Sequence, residues 1–596
     1  PSTEHTVSYL FYEPAYVVVA QRLEEVPGAL EDVERLSKTH WVAGFVAYEA
    51  AYALEERLAK FCTTTPTGEL PPVWFGAFSR PYVFDHRTGC WDRPIPSPVR
   101  TAPPNCLPTI RNTIEHKRYT ETIAAIKHWI AEGHTYQANF TFDMELCYDG
   151  EPFGLYRMIR ENQRTPYCSF IHTAYGHIAS FSPELFFRQR GELITVKPMK
   201  GTARRGYFAE EDAKIREWLV ADEKNRAENV MIVDLLRNDL GRVCRPGTVH
   251  VRKLFEVEMH PTVHQMTSTI QGRLRRGTGL RELFRALFPC GSVTGAPKIR
   301  TMEIIRELEQ GPRGIYCGAV GYVAPTRKAE FSVPIRTLLK GAGSRHWRYR
   351  VGSGIVWESN PAAEWEECKI KCAFLTQQKP RFELLESILY RNGPWYLKEH
   401  RDRLFFSARY FGYPLKRREL ERLIADIRRS IPPGSSHKVR ILLSADGNLR
   451  WESSPLKSGA FPSIMVELSP NPINEKELLL YHKTTHRPWY AESFERASKG
   501  ECYDVIHTNS GGEITEGARS NVFARIDGRL VTPPVSCGLL AGVLRRRLIE
   551  SGKCDEEVLT FDDLCRAEEL YCGNSVRGLV RVSLRSPEHQ PHGDCS

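Results

Sequence analysis

The 596-residue sequence lacks the features that mark several common protein classes. Its 16 cysteines include no CxxC pair, which argues against a zinc framework. No apolar run reaches the roughly 18 residues that a membrane span requires. The net charge of +10 is not gathered into any long run of lysine or arginine. We therefore expect neither a membrane protein nor a nucleic-acid-binding protein, because scattered arginines suit small anionic substrates equally well.

Targeting segments and internal repeats are also missing. The opening residues, PSTEHTVSYLFYEP, have neither the basic nor the apolar region of a signal peptide. We expect a soluble, cytoplasmic protein with reduced thiols. Since no repeat relates the two halves, they are expected to have different folds.

Composition predicts the domain boundaries. A polar stretch at 376–383, TQQKPRFE, is expected to be a linker. Before it we expect an N-terminal region over 1–105, which ends in a proline-rich stretch, and a domain over 106–375. After it we expect a domain over 384–586 and a disordered tail over 587–596. Short strands mixed with amphipathic helices predict an α+β fold class for both halves.

The stretch SPELFFRQRGELITVKPMKGTAR carries Glu184 and Lys200. Alternation in LITVK predicts a strand that ends at Pro198, which would leave Lys200 in a tight turn at Gly201. A lysine just past a strand end suits a nucleophile that faces a cavity. Taken alone, the stretch fits a surface lysine in a turn better, since lysine is seldom fully buried.

Three acidic residues and two glycine-rich turns are further candidates in the first half. Glu228 lies on a predicted helix, and Glu364 and Glu367 share a face of another. Carboxylates that converge from different elements suit magnesium, although each alone fits a solvated helix residue better. GSVTGAPK and the GSG at 352–354 match neither a Walker A loop nor a dinucleotide fingerprint. Their backbone donors favour carboxylate binding without identifying the ligand.

The second half offers Lys483 in YHKTTHRPWY, Glu516 in GEITEGARSNVF and Gly542 just before a predicted helix. A pyridoxal phosphate site needs a lysine for a Schiff base, a partner for the pyridine nitrogen and an anion cradle. Individually, the three residues also fit a strand lysine, a turn acid and a loop glycine.

Eight motifs of the first half occur in one order between about residues 110 and 375: SPELF, PMKGT, RAENVMIVDLLRNDLGR, PTVHQM, GSVTGAPK, PIRTL, GSGIV and AEWEECKIK. This order resembles the chorismate-utilising enzymes, a family that includes anthranilate, aminodeoxychorismate, isochorismate and salicylate synthases. The resemblance implies a β-sandwich core with surrounding helices, chorismate as substrate and a magnesium ion. Anthranilate synthases of this family carry alanine at the position of Lys200, whereas aminodeoxychorismate synthases carry lysine.

The resemblance also implies residue roles. Lys200 would attack C2 of chorismate as the 4-hydroxyl leaves, with Glu184 as general acid, and ammonia would then add at C4 and expel the lysine. Glu228 and Glu367 would hold magnesium, with Glu364 close by. The implied substrate-binding residues are His264, Thr294, Arg336, Gly352, Ser353, Gly354 and Lys371.

The second half, over about 382–584, contains HRDRL and an ITE segment followed by SN, and it resembles the fold-type IV pyridoxal phosphate enzymes. That family includes branched-chain and D-amino-acid aminotransferases and aminodeoxychorismate lyase. The resemblance implies two subdomains and a catalytic Lys483, and it leaves a homodimer through this half open. The implied cofactor-binding residues are Arg403, Lys483, Glu516, Ser520, Asn521, Val543, Leu544 and Ser575. Arg440 is a candidate for a substrate carboxylate.

Together the two resemblances imply a chain that aminates chorismate at C4 and then eliminates pyruvate to give 4-aminobenzoate for folate synthesis. We recognise no glutaminase region, so we expect ammonia from a separate glutamine amidotransferase subunit or from free ammonia. One alternative is an anthranilate or isochorismate synthase fused to a class IV aminotransferase. Another is that one half is a non-catalytic scaffold.

Overall fold

The computed structural model describes residues 6–62, 70–96, 107–163, 165–260, 263–377, 380–456 and 464–585. The predicted tail at 587–596 lies outside these residues, as does part of the predicted linker. The chain divides into two compact units, Pro1–Arg204 with Arg216–Lys379, and Arg205–Ile215 with Pro380–Ser596. Within the described ranges, no helix is both long enough and apolar enough to cross a membrane.

The first half of the chain contains helices α1 to α9. They are α1 (Val26–Leu36), α2 (Ala51–Leu54), α3 (His116–Ala131), α4 (Pro152–Asn162), α5 (Ala209–Ala221), α6 (Glu223–Gly241), α7 (Leu280–Leu287), α8 (Lys298–Leu308) and α9 (Pro361–Thr376). Its strands are β1 (Val7–Leu10), β2 (Tyr16–Ala20), β3 (Trp41–Val46), β4 (Val73–Phe78), β5 (Tyr82–Asp85), β6 (Cys90–Trp91), β7 (Thr109–Asn112), β8 (Gln137–Cys147), β9 (Tyr167–Thr173), β10 (Gly176–Ser182), β11 (Leu185–Arg190), β12 (Leu193–Lys197), β13 (Met199–Arg204), β14 (His250–Met259), β15 (Val263–Arg273), β16 (Gly295–Ala296), β17 (Ala319–Ala324), β18 (Lys328–Ser332), β19 (Thr337–Gly341) and β20 (Trp347–Ile355).

Two large sheets form the framework of the first unit. In the described ranges, a ten-stranded sheet has the order β13-β15-β12-β11-β18-β17-β3-β4-β2, with β14 on β15, and a seven-stranded sheet has the order β16-β8-β20-β19-β10-β9, with β7 on β8. Pairing of β3 with β17 brings Gly44 opposite Gly321. A Cβ at Gly44 would lie 2.0 Å from the Trp74 carbonyl oxygen, so the strands need glycine there. The expected region 1–105 therefore shares a sheet with the domain expected to follow it.

The second half contains helices α10 to α14 and strands β21 to β31. The helices are α10 (Leu397–Phe411), α11 (Arg417–Ser430), α12 (Ala491–Lys499), α13 (Val543–Glu550) and α14 (Phe561–Arg566). The strands are β21 (Leu384–Arg391), β22 (Ser436–Leu443), β23 (Leu449–Pro455), β24 (Met465–Leu468), β25 (Asp504–Thr508), β26 (Ile514–Gly517), β27 (Asn521–Ile526), β28 (Arg529–Thr532), β29 (Asp555–Glu556), β30 (Glu569–Asn574) and β31 (Gly578–Leu584).

The second unit has two subdomains. Strands β21, β22 and β23 form one antiparallel sheet, which shares an apolar core with α10 and α11. The other sheet has the order β26-β25-β24-β31-β30-β27-β28-β29, and an additional pairing of β26 with β27 closes it into a barrel. A two-residue hairpin at Asp527 and Gly528 joins β27 to β28, with φ of 49° and 72° at these two residues.

A buried ion cluster joins α8 to the seven-stranded sheet. The Glu309 carboxylate accepts hydrogen bonds from Arg313 Nε at 2.9 Å, Arg350 Nη2 at 2.9 Å and the Thr141 amide at 2.9 Å. Burial would raise the pKa of Glu309, but the two guanidinium groups outweigh it and lower the pKa. One carboxylate thus pairs with two arginines that are buried next to β8 and β20, and Arg350 also lies 3.5 Å from Asp143 Oδ2.

We predict that Glu309→Gln destabilises the first unit by about 3–5 kcal/mol, because buried Arg313 loses its carboxylate partner and Arg350 keeps only the longer pair with Asp143. Hydrogen exchange of the α8 and β8 amides measures the change. The control is Glu366→Gln at the surface pair with Lys369, where Glu366 is 63% exposed, and its effect should stay below about 1 kcal/mol. Equal effects of the two variants would contradict the prediction.

Candidate active sites

Lys200 lies inside a strand, so the predicted turn at Gly201 is wrong. Strand β13 begins directly after Pro198 and contains both residues. Its pairing with β15 shifts register between Met199 and Thr202, and Gly201 has a φ of +88°. Such a bulge re-aims side chains, and it depends on the partner strand, which alternation in one strand does not reveal.

The amine of Lys200 faces the GSG segment of β20. A Cβ at Gly354 would lie 3.3 Å from Lys200 Nζ and 2.1 Å from Gln137 Nε2, so glycine makes room for both groups. Desolvation lowers the pKa of Lys200, while the nearby carboxylates of Glu228 and Glu184 act in the opposite direction. The net lowering increases the neutral, nucleophilic fraction of the amine.

Glu184 is a buried carboxyl group beside this lysine. Burial raises its pKa to about 7, and the hydrogen bond from Ser292 and the charge of Lys200 limit the rise. The Ser292 hydroxyl donates to Glu184 Oε1 at 2.5 Å and also lies 3.1 Å from Cys290 Sγ. Glu184 can therefore carry a proton near neutral pH, as a general acid must. Ser292 belongs to GSVTGAPK, and nothing in the sequence pattern linked it to Glu184.

Arg336 provides a desolvated cation in the first unit. Within the described ranges no carboxylate pairs with its guanidinium, and desolvation lowers the pKa of Arg336. It has a φ of +53°, and its carbonyl accepts a hydrogen bond from the Phe181 amide. A desolvated guanidinium with free donors suits a substrate carboxylate.

The GSG at 352–354 lies in β20 and pairs with β8.

His264 and Thr294 are both fully buried. His264 lies on β15 opposite Ala203 of β13, on the strand next to the bulge. The Thr294 hydroxyl donates to the carbonyls of Cys290 and Gly291, so it stabilises its own turn.

The three predicted magnesium ligands do not form one tight cluster. Glu228 and Glu367 both act on the charge of Lys200, which puts both carboxylates near its amine. Within the described ranges, however, Glu228, Glu364 and Glu367 do not place one ligand oxygen each within 4.8 Å of one another. Glu367 Oε1 lies 2.6 Å from Lys371 Nζ. Two carboxylates fit a magnesium ion whose other ligands are water and substrate oxygens, so magnesium stays a prediction.

Lys483 is the buried candidate lysine of the second unit, as Lys200 is of the first. Its pKa is lowered to about 7, mainly by burial and also by the positive charges of Arg403 and Arg487, against the carboxylates of Glu386 and Glu516. A lysine with this pKa is largely neutral at slightly alkaline pH, as Schiff-base formation requires.

An anion cradle lies next to this lysine. Arg403 pairs with Glu386, with Nη2 to Oε2 at 2.6 Å, and Arg403 Nη1 donates to the Ala541 carbonyl at 3.2 Å. Helix α13 starts two residues later, so the amides of Val543 and Leu544 are its first N–H groups and lack intrahelical partners. A guanidinium beside a helix N-terminus fits a phosphate group.

Glu516 is held by three donors. Arg487 Nη2 lies 2.9 Å from Glu516 Oε1, the Tyr490 hydroxyl 3.2 Å from the same oxygen, and Asn521 Nδ2 3.3 Å from Oε2. Burial nevertheless raises the pKa of Glu516 to about 7. A carboxyl group with this pKa can share a proton with a pyridine nitrogen, so the lysine, cradle and carboxyl group fit pyridoxal phosphate. Arg487 is a member of this set that sequence reasoning missed.

Three predicted residues of this site have other partners. The Ser520 hydroxyl donates to the buried carboxylate of Asp504. The Ser575 hydroxyl donates to the Ser387 carbonyl at 3.3 Å. Arg440 pairs with Glu452 across β22 and β23. The roles predicted for these three residues remain predictions.

We predict that Glu386→Gln lowers the free energy of unfolding by an amount that depends on pH. Arg403 and His400 outweigh the burial of Glu386 and hold its pKa at about 2, below the ordinary 4.5. The stabilisation is therefore complete above about pH 4.5 and is lost as the pH falls through 2. The variant should have a free energy of unfolding roughly 3 kcal/mol below that of the wild type at pH 7. This difference should shrink as the pH falls below 4.5.

Hydrogen exchange of the β21 and α10 amides at several pH values measures this difference. Glu452→Gln is the control, since Glu452 is 47% exposed in its pair with Arg440. A cost of Glu386→Gln that does not change with pH would contradict the prediction.

Comparison with known proteins agrees with this architecture. Residues 5–377 match the family described as chorismate binding enzyme. Residues 382–584 match amino-transferase class IV. The expected α+β fold class, with a chorismate-utilising fold followed by a two-subdomain fold-type IV domain, is confirmed.

Individual relatives match the first half. Aminodeoxychorismate synthase of Streptomyces griseus is 41% identical over 279 residues, which are 47% of this chain and 38% of that protein. Aminodeoxychorismate synthase component 1 of Klebsiella aerogenes is 37% identical, with 50% of this chain and 69% of that protein covered. The crystal structure of anthranilate synthase component I from Streptococcus pneumoniae matches with a TM-score of 0.55 and 25% identity, over 63% of this chain and 93% of that one.

The match thus spans less than two fifths of the Streptomyces griseus protein, at 38% of its length. The family model, in contrast, covers residues 5–377, well over half of this chain. The chain belongs to the chorismate binding enzymes, and a class IV amino-transferase domain makes up its second half.

Proposed function

We propose that the chain converts chorismate and ammonia to 4-amino-4-deoxychorismate and then eliminates pyruvate from this product to give 4-aminobenzoate for folate synthesis. The observation that carries the proposal is the desolvated Lys200 amine beside the buried Glu184 carboxyl group. Relatives named aminodeoxychorismate synthase support the first reaction, and the class IV domain supports the second.

In the first reaction, neutral Lys200 attacks C2 of chorismate as Glu184 gives its proton to the departing 4-hydroxyl. The new bond joins lysine Nζ to C2, both ring double bonds shift by one position toward C4, and the C4–O bond breaks with release of water. The Glu184 carboxylate then takes the extra proton from the new secondary amine. Ammonia adds at C4, both double bonds shift back, and Glu184 returns the proton to lysine Nζ as the C2–N bond breaks. The Glu184 carboxylate finally accepts a proton from the new ammonium group at C4. Arg336 and the backbone at 352–354 hold the enolpyruvyl carboxylate. Glu228 and Glu367 would hold magnesium, which supplies positive charge for the ring carboxylate.

Ammonia for this reaction comes from a separate glutamine amidotransferase or from solution. Neither that partner nor a homodimer has direct support from the described residues, and both remain predictions, as does a cytoplasmic location.

In the second reaction, pyridoxal phosphate supplies an electron sink for the bond broken at C4. The Lys483 amine would anchor the cofactor, and in its neutral form it takes the C4 proton of the substrate. It then returns a proton to the departing enolpyruvyl group. Arg403 and the α13 amides would hold the phosphate, and Glu516 the pyridine nitrogen. Because elimination leaves an aromatic ring, orientation and proton handling are the main tasks of the protein.

The rival function is an anthranilate or isochorismate synthase fused to an aminotransferase. The similarity to a streptococcal anthranilate synthase makes it worth testing. Lys200 opposes anthranilate synthesis, because a covalent lysine at C2 directs ammonia to C4.

We predict that two lysine variants separate the reactions. Lys200→Ala should lose formation of 4-amino-4-deoxychorismate by at least about a hundredfold, because the nucleophile is gone. It should still convert added 4-amino-4-deoxychorismate to 4-aminobenzoate. Lys483→Ala should do the reverse and should lose the absorbance of covalently bound pyridoxal phosphate. Liquid chromatography of both products tests this prediction, and anthranilate formation by Lys483→Ala would contradict the proposed function.

A further prediction concerns Ser292→Ala. Loss of the hydroxyl donor raises the pKa of Glu184 above about 7, so the acid stays protonated to higher pH. The alkaline limb of the pH profile of kcat should then shift to higher pH by about one unit. Ser292→Thr, which keeps a hydroxyl group, should restore the original limb. A lower kcat with an unchanged profile would contradict this role.

A further inference from the structure

Residues 205–215 follow β13 in the sequence, yet they pack within the second unit. The Tyr207 ring stacks on that of Tyr481, with centroids 5.0 Å apart and planes inclined by 12°. The Phe208 ring lies 5.9 Å from the same tyrosine ring. Both side chains pack against the apolar cluster that includes buried Tyr490. A segment from the first half of the sequence thus supplies partly buried aromatic side chains that pack against a core of the second unit.

A buried ion pair fixes the shape of this segment. Arg205 binds Asp212 through two bonds, Nε to Oδ1 at 2.8 Å and Nη2 to Oδ2 at 2.9 Å. The Gly206 amide donates to the same carboxylate at 2.9 Å. The Arg205 guanidinium also lies 4.0 Å above the ring of Tyr410. Because both charges are buried and paired, the arch formed by 205–212 has one favourable conformation.

The arch packs against the residues that directly precede Lys483. Tyr481 is held by the Tyr207 stack, and its hydroxyl donates to the Glu475 carbonyl at 2.7 Å. The ring of His482 lies 4.6 Å from that of Tyr410, which carries Arg205 on its face.

Lys483 itself lies in irregular backbone, between 3-10 turns at Leu478–Leu480 and Pro488–Tyr490. Its carbonyl accepts one hydrogen bond, from the Leu385 amide at 2.9 Å. An isolated bridge between Thr484 and Leu384 of β21 fixes the backbone on the carboxyl side of Lys483. On the amino side, where no helix or strand continues, side-chain packing at Tyr481 and His482 determines the course of the chain.

We propose that Tyr207 and Phe208 are positioning residues for Lys483. Their rings hold Tyr481, and Tyr481 holds the backbone from which the lysine projects. The role rests on the proposed function of Lys483 as the pyridoxal phosphate lysine. It also means that the lyase site requires residues encoded next to the PMKGT motif.

The test uses the full chain with the double substitution Tyr207→Ala and Phe208→Ala. Pyridoxal phosphate is titrated into the cofactor-free protein, and its visible absorbance reports binding. Loss of two aromatic contacts should weaken binding by roughly tenfold. Tyr207→Phe, which keeps the stack, should bind like the wild type. The matched control is Trp218→Ala, an aromatic residue 53% exposed on the same helix, α5, which should have no effect.

Thermal unfolding and the rate of 4-amino-4-deoxychorismate formation are measured on the same samples. Weakened cofactor binding with an unchanged synthase rate would support the positioning role. Equal affinities of the double variant and the wild type would overturn it, and so would a loss of thermal stability with unchanged affinity. Absence of any cofactor uptake by the wild type would instead overturn the proposed lyase function.

Discussion

Both candidate sites depend on the removal of a lysine amine from water. A solvated lysine is protonated at neutral pH and has no free electron pair for attack on carbon. Desolvation lowers the pKa of Lys200 and brings that of Lys483 to about 7. Nearby carboxylates oppose this effect without reversing it. Burial raises the pKa of Glu184 and Glu516 to about 7 as well, so each partner can be neutral beside its lysine.

The same constraint explains where the two lysines lie. A regular strand alternates its side chains between two faces and leaves little freedom to aim one of them into a cavity. Lys200 escapes this pattern through a bulge between β13 and β15, and Lys483 through irregular backbone between two 3-10 turns. Each interruption then needs support from elsewhere. Gly354 leaves space for the first lysine, and the stack on Tyr481 lies beside the second.

The sequence predicted the fold class and the family because motif order and hydrophobic period are local properties of the chain. The turn at Gly201 was wrong because the bulge depends on pairing with β15, about 65 residues later in the chain. Ser292 and Arg487 were missed for the same reason, since their partners Glu184 and Glu516 are distant in sequence. No local sequence pattern predicted that residues 205–215 pack within the second unit. Long-range packing, rather than residue type, determines these features.

The most direct test of the account is the product of the unmodified chain. The purified protein is supplied with chorismate, ammonium, magnesium and pyridoxal phosphate, and its products are separated and identified by mass. The account predicts 4-aminobenzoate and pyruvate in equal amounts, without anthranilate. Formation of anthranilate, or of isochorismate, would contradict it.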